Sequence, residues 1–189
     1  AIRAEQAMIE YNLDSNRSNN LSYKKSLELF EKAVLMVKEE EIWIKYADFV
    51  DALLNQSSDD KEIKKFGKIM VMILKRALKS ISPRENAPNN ERTDRFCSSL
   101  TLRLADLMLR LGNQLGEVES LLKRAASKNP KDADISVFLS SLLVRKCAVN
   151  GESNCVGAEN VLMNSLKAIK EPGDSRLPKL WEAYIGLCL

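Results

Sequence analysis

The sequence contains no histidine, and of its 189 residues only seven are glycine, five are proline and four are cysteine. Without histidine, the chain has neither a nucleophile activated by imidazole nor a metal site that needs imidazole. The scarcity of glycine and proline disfavours collagen-like, linker-like and turn-rich all-β classes. The cysteines are too widely spaced for a structural zinc site and too few for a disulfide scaffold, at Cys97, Cys147, Cys155 and Cys188.

Long apolar runs and a strong excess of one charge are also missing. The longest apolar run covers about six residues, from Ile69 to Leu74, far fewer than a membrane-spanning helix needs. The net charge of +3 is too small to indicate nucleic-acid binding by itself. We therefore expect no membrane span, no metal or cofactor, and reduced thiols. A disulfide between Cys147 and Cys155, which flank one turn, is the geometrically open alternative.

Four similar stretches recur along the chain, and each ends on a small residue. They are Leu29-Phe-Glu-Lys-Ala33, Ile73-Leu-Lys-Arg-Ala77, Leu121-Leu-Lys-Arg-Ala125 and Val161-Leu-Met-Asn-Ser165. Their last residues lie 44, 48 and 40 positions apart, a spacing typical of helical-pair repeats. Other helical segments lie between or after them, at 42–54, 96–111, 135–147 and 177–189. The order predicts an all-α, right-handed solenoid of antiparallel helical pairs, with about four repeats.

Residues 61–81 carry the clearest helical periodicity. At 100° per residue, one arc holds Ile63, Phe66, Ile69, Met70, Ile73, Leu74, Ala77 and Leu78, and lysines fill the opposite arc. These lysines are Lys61, Lys64, Lys65, Lys68, Lys75 and Lys79. They form either a solvated face or a surface that binds an acidic protein segment. Because no aromatic residue lies among them, any RNA binding should be weak and nonspecific.

Proline marks the ends of two helices and the start of one irregular stretch. Ser82-Pro83 and Asn129-Pro130 each follow a helical pattern that stops before them. Residues 83–94 have no apolar periodicity, so we expect an inserted, flexible surface loop there. No domain boundary is evident, and we treat residues 1–189 as a single domain. Because the chain starts with alanine and stops within an apolar helical pattern, we expect it to be a piece of a longer protein.

The segment from Leu27 to Phe49 resembles a half-a-tetratricopeptide (HAT) repeat. It contains Trp43-Ile-Lys-Tyr46-Ala-Asp-Phe49, which is similar to the pattern Trp-x-x-Tyr-x-x-Phe/Leu of that family, and a ridge that ends at Ala33. Trp181-Glu-Ala-Tyr184 repeats the aromatic pair. Leu121 to Pro130 instead resembles the second helix of an ordinary tetratricopeptide repeat (TPR).

The resemblance implies that ridge and aromatic residues pack between neighbouring helices. We expect this role for Phe30, Ala33, Trp43, Tyr46, Ala77, Ala125, Trp181 and Tyr184. The last two are an exception if their packing partner lies beyond Leu189. In that case the pair is exposed, or it forms a homodimer through terminal repeats.

The resemblance also implies a non-catalytic scaffold that binds protein partners, because HAT repeats recur in RNA-processing assemblies. The hypothesis from sequence is therefore a module of a nuclear RNA-processing or RNA-surveillance complex. The alternative is a TPR-type adaptor outside RNA metabolism, such as a chaperone or kinetochore adaptor that recognises a short peptide, located in the cytoplasm. An enzyme is not expected, since the acidic residues form no catalytic pattern.

Overall fold

A computed structural model describes residues 22–37, 39–81, 91–112, 115–151 and 155–188. In these residues every regular element is an α-helix. The helices are α1 (Ser22–Met36), α2 (Glu40–Gln56), α3 (Asp60–Ile81), α4 (Glu91–Arg110), α5 (Leu115–Lys128), α6 (Ala133–Asn150), α7 (Val156–Ala168) and α8 (Leu177–Cys188). Within the described ranges, no helix is both long and apolar enough to cross a membrane.

Polar residues and one glycine set the helix limits locally. The Asp132 carboxylate accepts a hydrogen bond of 3.1 Å from the Ile135 backbone N–H and so caps α6. Gly151 ends α6 with a φ of 71°, the left-handed conformation that costs glycine little. The end of α5 at Lys128, directly before Asn129-Pro130, confirms the predicted stop.

The predicted loop at 83–94 is wrong at its C-terminal end. Residues 91–94 form the first turn of α4, whereas residues 83–90 lie outside the described residues. Acidic Glu91 and Asp94 suit a helix N-terminus, and an ion pair of 2.6 Å joins Glu91 to Arg95 one turn later. A polar first turn has no apolar periodicity, so the pattern of the sequence could not mark it as helical.

The chain divides into two compact units, Ala1–Pro88 and Asn89–Leu189. In the first unit, α2 packs against both α1 and α3. The core between them is aromatic: the Phe30 ring stacks on Tyr46 at 5.0 Å between centroids and lies 5.3 Å from Phe49. Trp43, on the same helix as Tyr46, is 3% exposed.

In the second unit, α4 to α8 follow a regular packing scheme. Each helix contacts the next one in the chain, and α6 also contacts both α4 and α8. The core is aliphatic, and its fully buried side chains include Leu104, Leu107, Leu122, Ile135 and Leu139. Contacts restricted to near neighbours in sequence are the defining property of helical-repeat proteins. The predicted all-α, helical-repeat fold class is thus confirmed for the described residues, while the single domain stays a prediction.

Candidate interaction surfaces

The predicted ridges and aromatic pairs alternate along the helices. The four ridges lie on α1, α3, α5 and α7, and the two aromatic pairs lie on α2 and α8. Of the predicted packing residues, the structure buries Phe30, Ala33, Trp43, Tyr46 and Ala77. Ala125 and Tyr184 are half-buried, and Trp181 is exposed.

A polar cluster that we call the Glu31 cluster joins the three helices of the first unit. The Tyr46 hydroxyl donates to Glu31 Oε1 at 2.9 Å, and Arg76 Nη1 donates to the two Glu31 oxygens at 2.7 and 2.9 Å. The Arg76 guanidinium also lies over the Trp43 ring, 5.7 Å from its centroid. Glu31, Tyr46 and Arg76 belong to α1, α2 and α3 respectively, so one carboxylate ties all three helices together.

The electrostatics of the Glu31 cluster indicate a structural role. Burial, and then the hydrogen bond to Glu31, raise the pKa of Tyr46 well above its usual value of 10. The hydrogen bond to Glu31 also raises the pKa of Arg76. Trp43 Nε1 is buried with no hydrogen-bond partner among the described atoms. A protonated tyrosine and a permanently charged arginine supply no acid–base chemistry near neutral pH.

Sequence reasoning missed Glu31 and Arg76. Both are the polar residues of a ridge, in Leu29-Phe-Glu-Lys-Ala33 and Ile73-Leu-Lys-Arg-Ala77, and they lie 45 positions apart. That separation falls within the repeat spacing of 40 to 48 residues. Opposite charges in equivalent ridges, one repeat apart, are the signal that could have found this contact.

The terminal aromatic pair lies on a partly open helix. Trp181 is 48% exposed and Ile185, one turn further along α8, is 54% exposed. Tyr184 meets the Trp181 ring edge-on, with centroids 5.9 Å apart, and its hydroxyl donates to Glu159 Oε1 at 3.1 Å. Within the described residues α8 contacts α6 and α7, which leaves an apolar face on the other side.

All six lysines predicted to lie on one face of α3 are exposed. We call this surface, from Lys61 to Lys79, the basic face; it covers about 27 Å along the helix at 1.5 Å per residue. The opposite side of α3 is buried and includes Phe66, Met70, Ile73 and Ala77. The predicted division of this helix into an apolar and a basic side is confirmed.

Carboxylates are absent from the immediate surroundings of the basic face in the described residues. Lys65 donates to the Tyr23 hydroxyl at 2.9 Å and lies 5.1 Å from the Tyr23 ring centroid. Within the described part of the chain, the other five have no carboxylate partner within 4.0 Å. In the second unit, by contrast, Lys123 and Lys146 both contact Glu119, at 2.6 and 2.7 Å.

One apolar side chain shares the basic face. Met72 is 48% exposed, and at 100° per residue it projects within the arc of the lysines. Sequence reasoning left Met72 out of the apolar arc but did not place it on the basic face either. The run of six apolar residues from Ile69 to Leu74 extends more than one turn, so at least one of them must face outward.

The cysteines and acidic side chains add no further candidate site in the described residues. No disulfide joins Cys97, Cys147 and Cys155. Among the residues that the structure describes, no three cysteine or acidic side chains form a group that could hold a metal ion. The candidate surfaces are therefore the basic face and the open side of α8.

No protein-family model matches the chain, and no curated protein is significantly similar to it in sequence. Among solved structures, the chain is similar to YrrB, described as a TPR protein with an unusual peptide-binding site. The match covers 92% of this chain and 82% of YrrB, with 15% sequence identity and a TM-score of 0.40. The helical repeats are evident in the packing of each helix against the next one within each unit.

Proposed function

We propose that this chain is a non-catalytic scaffold whose basic face binds an acidic segment of a protein partner. The observation that carries the proposal is the row of exposed ammonium groups on α3 that no carboxylate within the described residues neutralises. A row of like charges repels itself, and an acidic ligand relieves that repulsion. Because lysine keeps its charge in water on a long stem, little desolvation opposes the contact.

A protein segment fits this surface better than RNA does. Recognition of single strands combines a basic groove with aromatic side chains on which bases stack. Tyr23 and Phe66, the rings nearest to the basic face, are buried and pack edge-to-face against each other at 5.4 Å. Phosphate contacts alone would give weak RNA binding without sequence preference.

The proposed setting is a nuclear RNA-processing or RNA-surveillance complex. Its support is the HAT-like segment at 27–49, in which Ala33, Trp43 and Tyr46 are buried and Glu31 joins three helices. In such an assembly the repeats would hold protein subunits together, and ribonuclease would leave the contacts intact.

The test is an affinity purification from nuclear extract, with and without ribonuclease. It compares the parent chain with the triple variant Lys64→Glu, Lys68→Glu, Lys75→Glu. The matched control is Lys32→Glu, Lys167→Glu, Lys170→Glu, which makes the same charge change at exposed positions outside α3. Direct binding to poly-glutamate, measured at low and high salt, gives the affinity of each chain.

Charge reversal on the basic face should weaken poly-glutamate binding about tenfold or more, and parental binding should fall as salt rises. The control triple variant should bind nearly as the parent does. The proteins lost by the basic-face variant, and kept by the control after ribonuclease, are the partners sought. If both variants retain the same proteins and the same affinity at low salt, the basic face is only a solvated surface.

Self-association through the open side of α8 is a further part of the proposal. The exposed Trp181 and Ile185, one turn apart, are the support for it. Sedimentation velocity over a range of concentrations should show a dimer that Trp181→Ala with Ile185→Ala removes. A parent chain that stays monomeric at the highest concentration would contradict it.

A further inference from the structure

The basic face is divided along its length by Met72. Lys68 precedes Met72 by four residues and Lys75 follows it by three, so all three side chains lie on neighbouring turns of the same face. The rise per residue places Met72 about 6 Å from Lys68 and about 4.5 Å from Lys75 along the helix axis. The surface is therefore basic at both ends and apolar at its centre.

The centre is well suited to contact a side chain of a partner. Met72 is 48% exposed, and methionine is flexible and polarizable, which lets it fit differently shaped apolar groups. The stems of Lys68 and Lys75 add apolar surface on either side, while their ammonium groups reach outward. A single exposed apolar residue is ordinary on a protein surface. The difference here is that cations with no carboxylate partner in the described residues lie on both sides of it.

We infer that the basic face binds an amphipathic acidic helix in which a large apolar residue is flanked by carboxylates and packs on Met72. Charge complementarity selects an acidic segment, and the apolar centre selects a protein over a nucleic acid. A nucleic acid backbone offers phosphates along its whole length but no apolar side chain for Met72. This inference rests on the function proposed above and specifies the class of partner.

The probes are two synthetic acidic helical peptides of about 18 residues, long enough to cover the face at 1.5 Å per residue. One has a central leucine, and the other has serine at that position. A uridine oligonucleotide serves as the nucleic-acid probe. All three are titrated into the full chain, into the triple variant Lys64→Glu, Lys68→Glu, Lys75→Glu, into Met72→Gln and Met72→Lys, and into Met36→Gln. The last makes the same exchange at an exposed methionine on α1.

The leucine peptide should bind the parent about fivefold more tightly than the serine peptide, as expected for partial burial of one apolar side chain. Met72→Gln should remove this difference, and Met36→Gln should preserve it. Met72→Lys should weaken binding of the leucine peptide and strengthen binding of the oligonucleotide. Because Met72 is exposed, circular dichroism and melting should show all variants to be folded.

Three results would contradict this inference, and they differ in what they say of the proposed function. If both peptides bind the parent with equal affinity and neither binds the triple lysine variant, the basic face binds acidic segments. Met72 then does not select for an apolar residue in the partner. If the oligonucleotide binds more tightly than either peptide, the face is a nucleic-acid surface and both proposals are wrong. If no probe binds at low salt, the proposed function fails as well.

Discussion

Two Trp-x-x-Tyr pairs occur in this chain, and their surroundings are opposite. Trp43 is 3% exposed and Tyr46 is buried with it, whereas Trp181 is 48% exposed beside a half-buried Tyr184. Both tyrosines donate to a glutamate of the preceding helix, Tyr46 to Glu31 and Tyr184 to Glu159. The local motif therefore positions the tyrosine hydroxyl in both places.

The difference arises from the helices on either side of each pair. The helix α2 lies against α1 and α3, and Arg76 of α3 covers the Trp43 ring. In the described residues of the second unit, α8 has neighbours in α6 and α7, and Trp181 projects away from them. In a repeat protein the same residues are core or surface according to the neighbouring repeat, because each helical pair buries its apolar side only against the next.

The largest effect is expected from removing the two tryptophans in turn. Trp43→Ala deletes a buried ring and should lower the free energy of unfolding by about 3–5 kcal/mol. Trp181→Ala removes a half-exposed ring and should cost about 1 kcal/mol or less. Urea unfolding followed by circular dichroism measures both. Equal costs for the two variants would show that the difference in exposure has no energetic consequence.

A close second is expected at the ridge of α1. Ala33→Glu places a carboxylate at a buried helix crossing with no partner, and it should cost about 3 kcal/mol or more. The matched control is Ala148→Glu, the same exchange at an exposed position of α6, where about 1 kcal/mol or less is expected. Thermal melts of both variants measure these costs. An unchanged melting temperature for Ala33→Glu would refute the repeat register.

The features of the structure that could be predicted from the sequence are those that depend on local periodicity. The two sides of α3 were predictable because helical periodicity alone determines which residues face the core. For the Glu31–Arg76 pair the sequence offers only opposite charges in ridges one repeat apart, because the geometry depends on how helices 45 residues apart in sequence are rotated about each other. The exposure of Trp181 depends on a neighbouring helix, and the polar first turn of α4 has no periodicity to detect. The lysines of the basic face were predictable, whereas Met72, which lies outside the apolar arc, was not recognised as part of that face.

A smaller effect is expected at the Glu31 cluster. Glu31→Gln keeps the size of the side chain but removes the charge that Arg76 contacts, which should cost about 1–2 kcal/mol. The pair is about one-third exposed, so solvent screening favours the lower end of that range. Glu28→Gln, at an exposed position on the same helix, is the control and should be nearly neutral. A double-mutant cycle with Arg76→Gln isolates the coupling, and a cycle with no coupling would show that the pair contributes nothing.

The smallest expected effects are those of pH on stability. The first unit should lose stability at alkaline pH, and the second unit should lose it at acid pH. In the first unit, the pKa of Tyr46 is raised by burial and by Glu31, so the folded chain keeps a proton that the unfolded chain releases near pH 10. The contribution of Tyr46 to the stability of the first unit is therefore complete below about pH 10. It is lost as the pH rises further. In the second unit, hydrogen bonds from the side chain and backbone of Arg176 lower the pKa of Asp174 from 3.8 to about 2. That contribution is complete above about pH 4 and is lost as the pH falls toward 2.

Single-tryptophan variants separate the two responses, since each unit contains one tryptophan. In Trp181→Phe the remaining Trp43 reports on the first unit, and in Trp43→Phe the remaining Trp181 reports on the second. Urea midpoints should fall above pH 10 for the Trp43 signal and below pH 4 for the Trp181 signal. Tyr46→Phe should flatten the alkaline slope, and Asp174→Asn should flatten the acid one. If both probes respond identically at both extremes, the two units unfold as one cooperative body, and the contrast between their polar contacts has no separate effect on stability.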